Sequence, residues 1–298
     1  MSAAPLFWQQ PLRYMRFASH EYPAIFYSCV IGAVSPAILL VVPPVRRRLG
    51  YDDTPEIPHS YPATSTTTLN SLLTTPLSLH QDLANGCGGI IWPAGECLGR
   101  YVVRRYVDSA TKPKEESLSG KRILEIGAGG GVTGLALISA LRDAQDPAVL
   151  SPDASQRCEL WLTDQSNMLD LMHKNVALNA MAEIVKVGVY DWGEPIPPYL
   201  VRGDTEKGHK VDVVLAADCV YFEPAFPLLE KTLVELVRGG TVCLFCFKKR
   251  RRADLKFMKR IVKVLECREV KDYPEYEMCS RDSIFLYEMT EKKGKGKQ

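Results

Sequence analysis

Four short groups of residues in this chain have types and spacings that could do chemistry. The first is LEIGAGGGVTG, in which Glu125 is followed by Gly127, Gly129 and Gly131. Glycines at such a turn let the backbone approach a ligand, and the helix after it offers free N–H groups. A dinucleotide fingerprint would read G-x-G-x-x-G, but counted from Gly127 its sixth position is Val132. The pattern is instead E-x-G-x-G-x-G. The second group is CELWLTD, ending in Asp164. An acid at the end of the second strand of a nucleotide-binding unit commonly takes a ribose diol, and the same residue could equally cap the next helix. The third is Asp191-Trp192 at the end of IVKVGVYDW. The fourth follows VDVVLAA, where Asp218 and Tyr221 stand at the carboxyl end of the most strand-like run in the chain. In an open parallel sheet that end faces the ligand.

These groups need a scaffold, and the intervening residues describe one. Ile123, Leu124 and Ile126 form a short apolar run of the buried parallel type, and Val132 to Leu141 then suits a helix lying on a sheet. Further strands are expected over 158–164, 184–192, 211–217 and 241–247, with two more at 266–273 and 283–289. Helices are expected over 166–179, over 224–237 between a proline and two glycines, and up to about 265. The polar stretch 142–157, with Pro147 and Pro152, reads as a surface loop that lengthens the path to Asp164. Trp92, ahead of a helix running to about Val107, is either a wall for a ligand or core packing. The run Lys248–Arg252 reads as a solvated helix start in preference to a contact for an acidic partner.

The totals narrow the function classes. A formal net charge of +2 on 298 residues gives no bulk attraction for nucleic acid. Nine cysteines, odd in number, irregularly spaced and without a C-x-x-C, read as reduced thiols and argue against zinc. Residues 24–42 carry no charge and are followed by Pro43, Pro44 and Arg46 to Arg48, so a candidate membrane-spanning helix is expected there, with membrane contact through it. Residues 63–85 read as a linker or the entry to a second part.

The motifs, taken in order, carry a resemblance. E-x-G-x-G-x-G resembles the first motif of the Class I S-adenosylmethionine-dependent methyltransferases, in which the acid can position the methionine amino group. With IWPAG at 91–95, LTDQ, NVALN, YDWG at 190–193 and AADCVYFEPAFPLL, residues 68–290 are similar to the seven-stranded lysine methyltransferases with a D-x-x-Y motif. They are most similar to the fungal branch that methylates a lysine of translation elongation factor 1A. The resemblance implies an α/β fold, a Rossmann-like seven-stranded methyltransferase sheet with helices on both faces. It implies S-adenosyl-L-methionine as cofactor, held by Trp92, Gly127, Ala128, Gly129, Asp164, Trp192 and Ala217. Asp218 and Tyr221 would be the catalytic ends of D-x-x-Y, and no metal is expected.

A second resemblance covers most of residues 11–62, which look like a small accessory subunit of fungal mitochondrial NADH:ubiquinone oxidoreductase. Either two proteins are fused, or two neighbouring reading frames have been joined; one transcript and one polypeptide of full mass would establish the fusion. The expected organisation is an extension over 1–66 with the membrane helix at 24–42, a methyltransferase domain over 67–290 and a disordered basic tail over 291–298. A cytoplasmic location is expected for the domain, and the mitochondrial inner membrane if the extension belongs to the chain. The rivals are a small-molecule methyltransferase and a membrane-anchored accessory protein whose cofactor-binding domain does no catalysis. A base methyltransferase would carry an N-P-P-Y-like tetrapeptide where this chain has DCVY.

Overall fold

Every residue of Arg122–Ile126 is buried, and alternate side chains of this strand enter different cores, as the period-two geometry of a strand requires. The computed structural model describes residues 6–49, 65–83, 86–107, 117–201 and 211–292. It divides into two units, 1–59 and 60–298. In the first, helix α1 (Pro11–Glu21) precedes helix α2 (Pro23–Arg48). The residues 57–62 included in the second resemblance lie outside the described residues.

The membrane-spanning helix expected at 24–42 is not supported. The stretch is helical within α2, but among the described residues no helix is long and apolar enough to cross a membrane. Its sequence is interrupted by Tyr27, Ser28, Gly32, Ser35 and Pro36, and its final unbroken apolar run is the six residues 37–42. A spanning helix needs roughly 20 predominantly apolar residues in succession.

In the second unit, β1 (Ser65–Thr66) and β2 (Ser78–Leu79) pair antiparallel, and Leu69, Leu73, Leu77 and Leu79 between and within them are buried. This stretch is therefore part of the domain core and not a linker. After α3 (Pro93–Val107) come β3 (Arg122–Ile126), α4 (Val132–Asp143), α5 (Pro147–Leu150), β4 (Glu159–Asp164), α6 (Leu169–Leu178), β5 (Val185–Val189) and β6 (Val213–Ala217). Then follow α7 (Phe226–Leu236), β7 (Val242–Lys248), α8 (Arg252–Val264), β8 (Leu265–Glu269), α9 (Tyr276–Arg281) and β9 (Ile284–Glu291). The expected surface loop 142–157 contains α5, whose Ala148 and Val149 are buried. Of the expected disordered tail, Glu291 ends β9 and 293–298 lie outside the described residues.

The seven long strands form one mixed sheet in the order β5-β4-β3-β6-β7-β9-β8, with β9 antiparallel to both its neighbours. Ile123, Leu160, Leu162, Leu215 and Leu244 pack with α3, α4 and α6 in one core. Leu124, Ile126, Val214 and Phe245 pack with α7 and α8 in the other. Helices thus cover both faces, which is why the central strands can be apolar throughout. The strand order reverses between β3 and β6, and a ligand crevice forms beyond the carboxyl ends of strands at such a reversal.

Candidate active site

At that reversal lies a cavity of about 920 Å³. It is lined by all nine residues singled out from the sequence: Gly127, Ala128 and Gly129 after β3, Asp164 at the end of β4, Trp192 after β5, Ala217 at the end of β6, Asp218 and Tyr221 beyond it, and Trp92 ahead of α3. Segments far apart in sequence meet because parallel strands in register end at one level.

The glycine turn is shaped by close approach. Gly129 has φ +54°, and a Cβ there would lie 2.3 Å from the Gly88 carbonyl oxygen. Gly127 has φ +57°, and its Cβ would lie 2.8 Å from the Trp192 ring. Only glycine meets both demands. The Gly129 N–H donates to Asp164 Oδ2 at 2.8 Å and the Gln165 N–H to Oδ1 at 2.7 Å, so Asp164 braces the turn from the neighbouring strand. Burial raises the Asp164 carboxyl above the ordinary aspartate range, and these two donors oppose the rise. Gln165, not Asp164, occupies the cap position of the following helical turn.

Glu125 is only 2% exposed and accepts the Gly134 N–H at 2.7 Å, tying β3 to the first turn of α4. Burial pushes its carboxyl up to about 8. Trp92 lies outside both cores: its Nε1 donates to the Cys87 carbonyl at 2.8 Å, and it lines the cavity, as a wall would.

Asp218 is 7% exposed and has φ +55°. Arg250 Nη1 and Nη2 donate to its Oδ1 and Oδ2 at 2.8 and 2.7 Å, and the Lys248 N–H reaches Oδ1 at 3.2 Å. The pairing raises the guanidinium further above its usual range. Arg250 also lies 5.1 Å from the centre of the Trp92 ring. Tyr221 and Phe222 are 46% and 56% exposed at the cavity mouth, and the Tyr221 phenol is raised, first by burial and then by Cys87. Among the described residues no cluster of acids, histidines or cysteines is arranged to hold a metal ion.

Arg250 is the residue that sequence reasoning missed, because Lys248–Arg252 was read as a solvated helix start. The strand order held the signal: β7 lies next to β6, so residues after β7 arrive beside residues after β6. The Cys87–Gly89 segment roofing the glycine turn was missed for want of any motif.

A model of the family described as "Lysine methyltransferase" matches residues 72–264. The chain belongs to this family. The protein-lysine N-methyltransferase EFM6 of Saccharomyces cerevisiae is 32% identical over 70% of this chain and 82% of the yeast protein. The protein N-lysine methyltransferase METTL21A of Danio rerio is 29% identical over 65% of this chain and 76% of the fish protein. Separately, residues 12–50 match the model of the complex I 9.5 kDa ubiquinone-binding subunit. The Neurospora crassa NADH-ubiquinone oxidoreductase 9.5 kDa subunit is 52% identical over 20% of this chain and 71% of that subunit.

The methyltransferase takes its methyl group from S-adenosyl-L-methionine, and its substrate is a protein lysine. The cavity suits that donor: Gly127 and Gly129 line it with bare backbone, and Asp164 has used two of roughly four lone-pair positions.

Proposed function

We propose that this methyltransferase modifies a lysine of translation elongation factor 1A, acting in the cytoplasm, with Asp218 and Tyr221 orienting the lysine amine. The observation that carries the assignment of roles is that the loop after β6 opens into the same cavity as the glycine turn, Asp164 and Trp192. The elongation-factor target rests on the resemblance of IWPAG, LTDQ, YDWG and AADCVYFEPAFPLL to that branch of the family.

In this reading Gly127, Ala128, Gly129 and Ala217 let backbone approach the donor, Asp164 takes its ribose hydroxyls, and Trp92 and Trp192 supply apolar walls. The bound donor supplies an electrophilic methyl already activated by its sulfonium, so the protein need not provide strong acid or base catalysis. Its task is to present a neutral amine in line. Lysine has an ordinary pKa near 10.4, and desolvation as the substrate docks favours loss of its proton. Exposed Tyr221 and Phe222 offer aromatic faces that also accept the alkylammonium product.

The test is to incubate the full chain with tritiated S-adenosyl-L-methionine and fungal extract. The expected result is a labelled band at the mass of elongation factor 1A, absent with Asp218→Ala, while cofactor affinity by calorimetry is retained. Label confined to small molecules, or to another protein, refutes the substrate; unchanged turnover in Asp218→Ala removes that residue from the mechanism.

A further inference from the structure

Consecutive arginines hold both ends of the 218–221 loop. Arg250 pairs with the Asp218 carboxylate through two N–H groups, and Arg251 Nη2 donates to the Tyr221 carbonyl. A single buried acid registers the pair: Asp254, in the first turn of α8, accepts the backbone N–H of Arg250 and of Arg251, each at 2.8 Å. Asp218 sits in the left-handed region at φ +55°, a conformation that persists in a non-glycine residue only where its surroundings over-determine it.

Counting acceptors shows what this arrangement leaves. A carboxylate offers roughly four lone-pair positions. The Lys248 N–H and Arg250 Nη1 take those on Oδ1, and Arg250 Nη2 takes one on Oδ2. One position on Oδ2 remains. Charge matters as much as direction. A bare carboxylate beside a lysine favours the ammonium, which has no lone pair with which to attack. Pairing with a guanidinium keeps the acceptor and cancels most of its charge.

We propose that Arg250 is the positioning residue of this site, aiming the remaining Oδ2 lone pair at the substrate amine and cancelling the Asp218 charge that would otherwise keep that amine protonated. The inference rests on the reading of Asp218 as the residue that orients the amine. Other ionisable groups face the pair from every side. Lys248 ends β7, and Asp254 lies on α8. Asp164 and Glu125 belong to β4 and β3, and Cys219, Tyr221 and Cys87 border the loop. Asp191 and Glu194 line the cavity after β5. Among the described residues, the cationic side chain in an ion pair with Asp218 is that of Arg250.

The experiment is single-turnover transfer by the full chain from tritiated S-adenosyl-L-methionine to purified elongation factor 1A, followed as a function of pH. The wild-type rate rises with pH to a plateau as the amine loses its proton. In Arg250→Met that rise moves up by about 1 to 2 pH units, and the plateau falls by up to about 100-fold through lost aim. Arg250→Lys keeps the charge and loses the two-pronged grip, so the plateau falls and the rise stays in place. In Arg250→Met/Asp218→Asn the rise returns toward its wild-type position, a reversal that mere loss of structure would not produce. Arg250→Gln carries the same expectation if the methionine variant fails to fold. An unmoved rise and plateau in Arg250→Met, with a lowered plateau in Asp218→Asn, overturns the inference and leaves the reading of Asp218 intact. A wild-type profile in Asp218→Asn removes that reading itself.

Discussion

Replacing Glu125 by Gln should make the protein more stable at neutral pH, and the gain should grow with pH. Glu125 is buried under the glycine turn, where burial outweighs the donors around it and pushes its carboxyl from 4.5 up to about 8. In the unfolded chain the group ionises near 4.5. Between these values unfolding releases a proton, so the native state loses about 1.4 kcal/mol per pH unit from this group. The stabilising contribution is complete below pH 4.5 and is lost as pH rises through about 8. Relative to Gln, which cannot ionise, the deficit is about 3 kcal/mol at pH 7 and approaches about 5 kcal/mol above pH 8. Gln keeps an oxygen for the Gly134 N–H, so the tie between β3 and α4 survives. The assay is urea denaturation of both proteins from pH 5 to pH 9, comparing midpoints at matched slope. A difference that stays flat across this range would refute the reasoning, because it would mean that the donors at Gly134 and Thr133 compensate the charge in full.

Three further outcomes test the site and the packing. Gly129→Ala forces a side chain into φ +54° with its Cβ 2.3 Å from the Gly88 carbonyl, so left-handed strain of about 1–2 kcal/mol plus displacement of the 86–89 segment should weaken cofactor binding at least about 10-fold by calorimetry. Retained affinity would show that the turn does not contact the donor. Asp164→Ala removes the brace on the Gly129 N–H together with the acceptor proposed for the ribose, and cofactor affinity should fall by about 10- to 100-fold, the worth of charge-assisted hydrogen bonds. Affinity within twofold of wild type counts against the ribose role. In the native protein a thiol reagent should modify Cys29 and Cys87 first and half-buried Cys267 more slowly, with Cys97, Cys158, Cys219, Cys243, Cys246 and Cys279 reacting only on unfolding. Fast reaction of Cys97 or Cys279, which lie 3.1 Å apart in the core, would contradict that packing.

Much of the fold could be read from short-range pattern. Apolar runs such as VDVVLAA and the glycines after β3 declare a strand and a turn locally, because burial on both faces and a left-handed backbone each restrict residue type at single positions. Boundaries moved by a few residues: the strand expected over 184–192 is Val185–Val189, and the run 142–157 hides a short helix. The extension was harder, since an uncharged run shows a helix but not whether that helix is apolar enough to cross a bilayer.

The sequence by itself determined which residues end the strands, and so which side chains stand at the edge of the sheet where a ligand can sit. Only the tertiary structure decided what those side chains hold. Asp218 reads alone as an acid at a strand end, yet it is gripped by Arg250, 32 residues later. Trp92 reads as wall or packing, and it lines the cavity outside both cores. The physical reason is that strand position is set by neighbours along the chain, whereas the partner of a buried charge is set by the order of strands in the sheet, which no local pattern encodes.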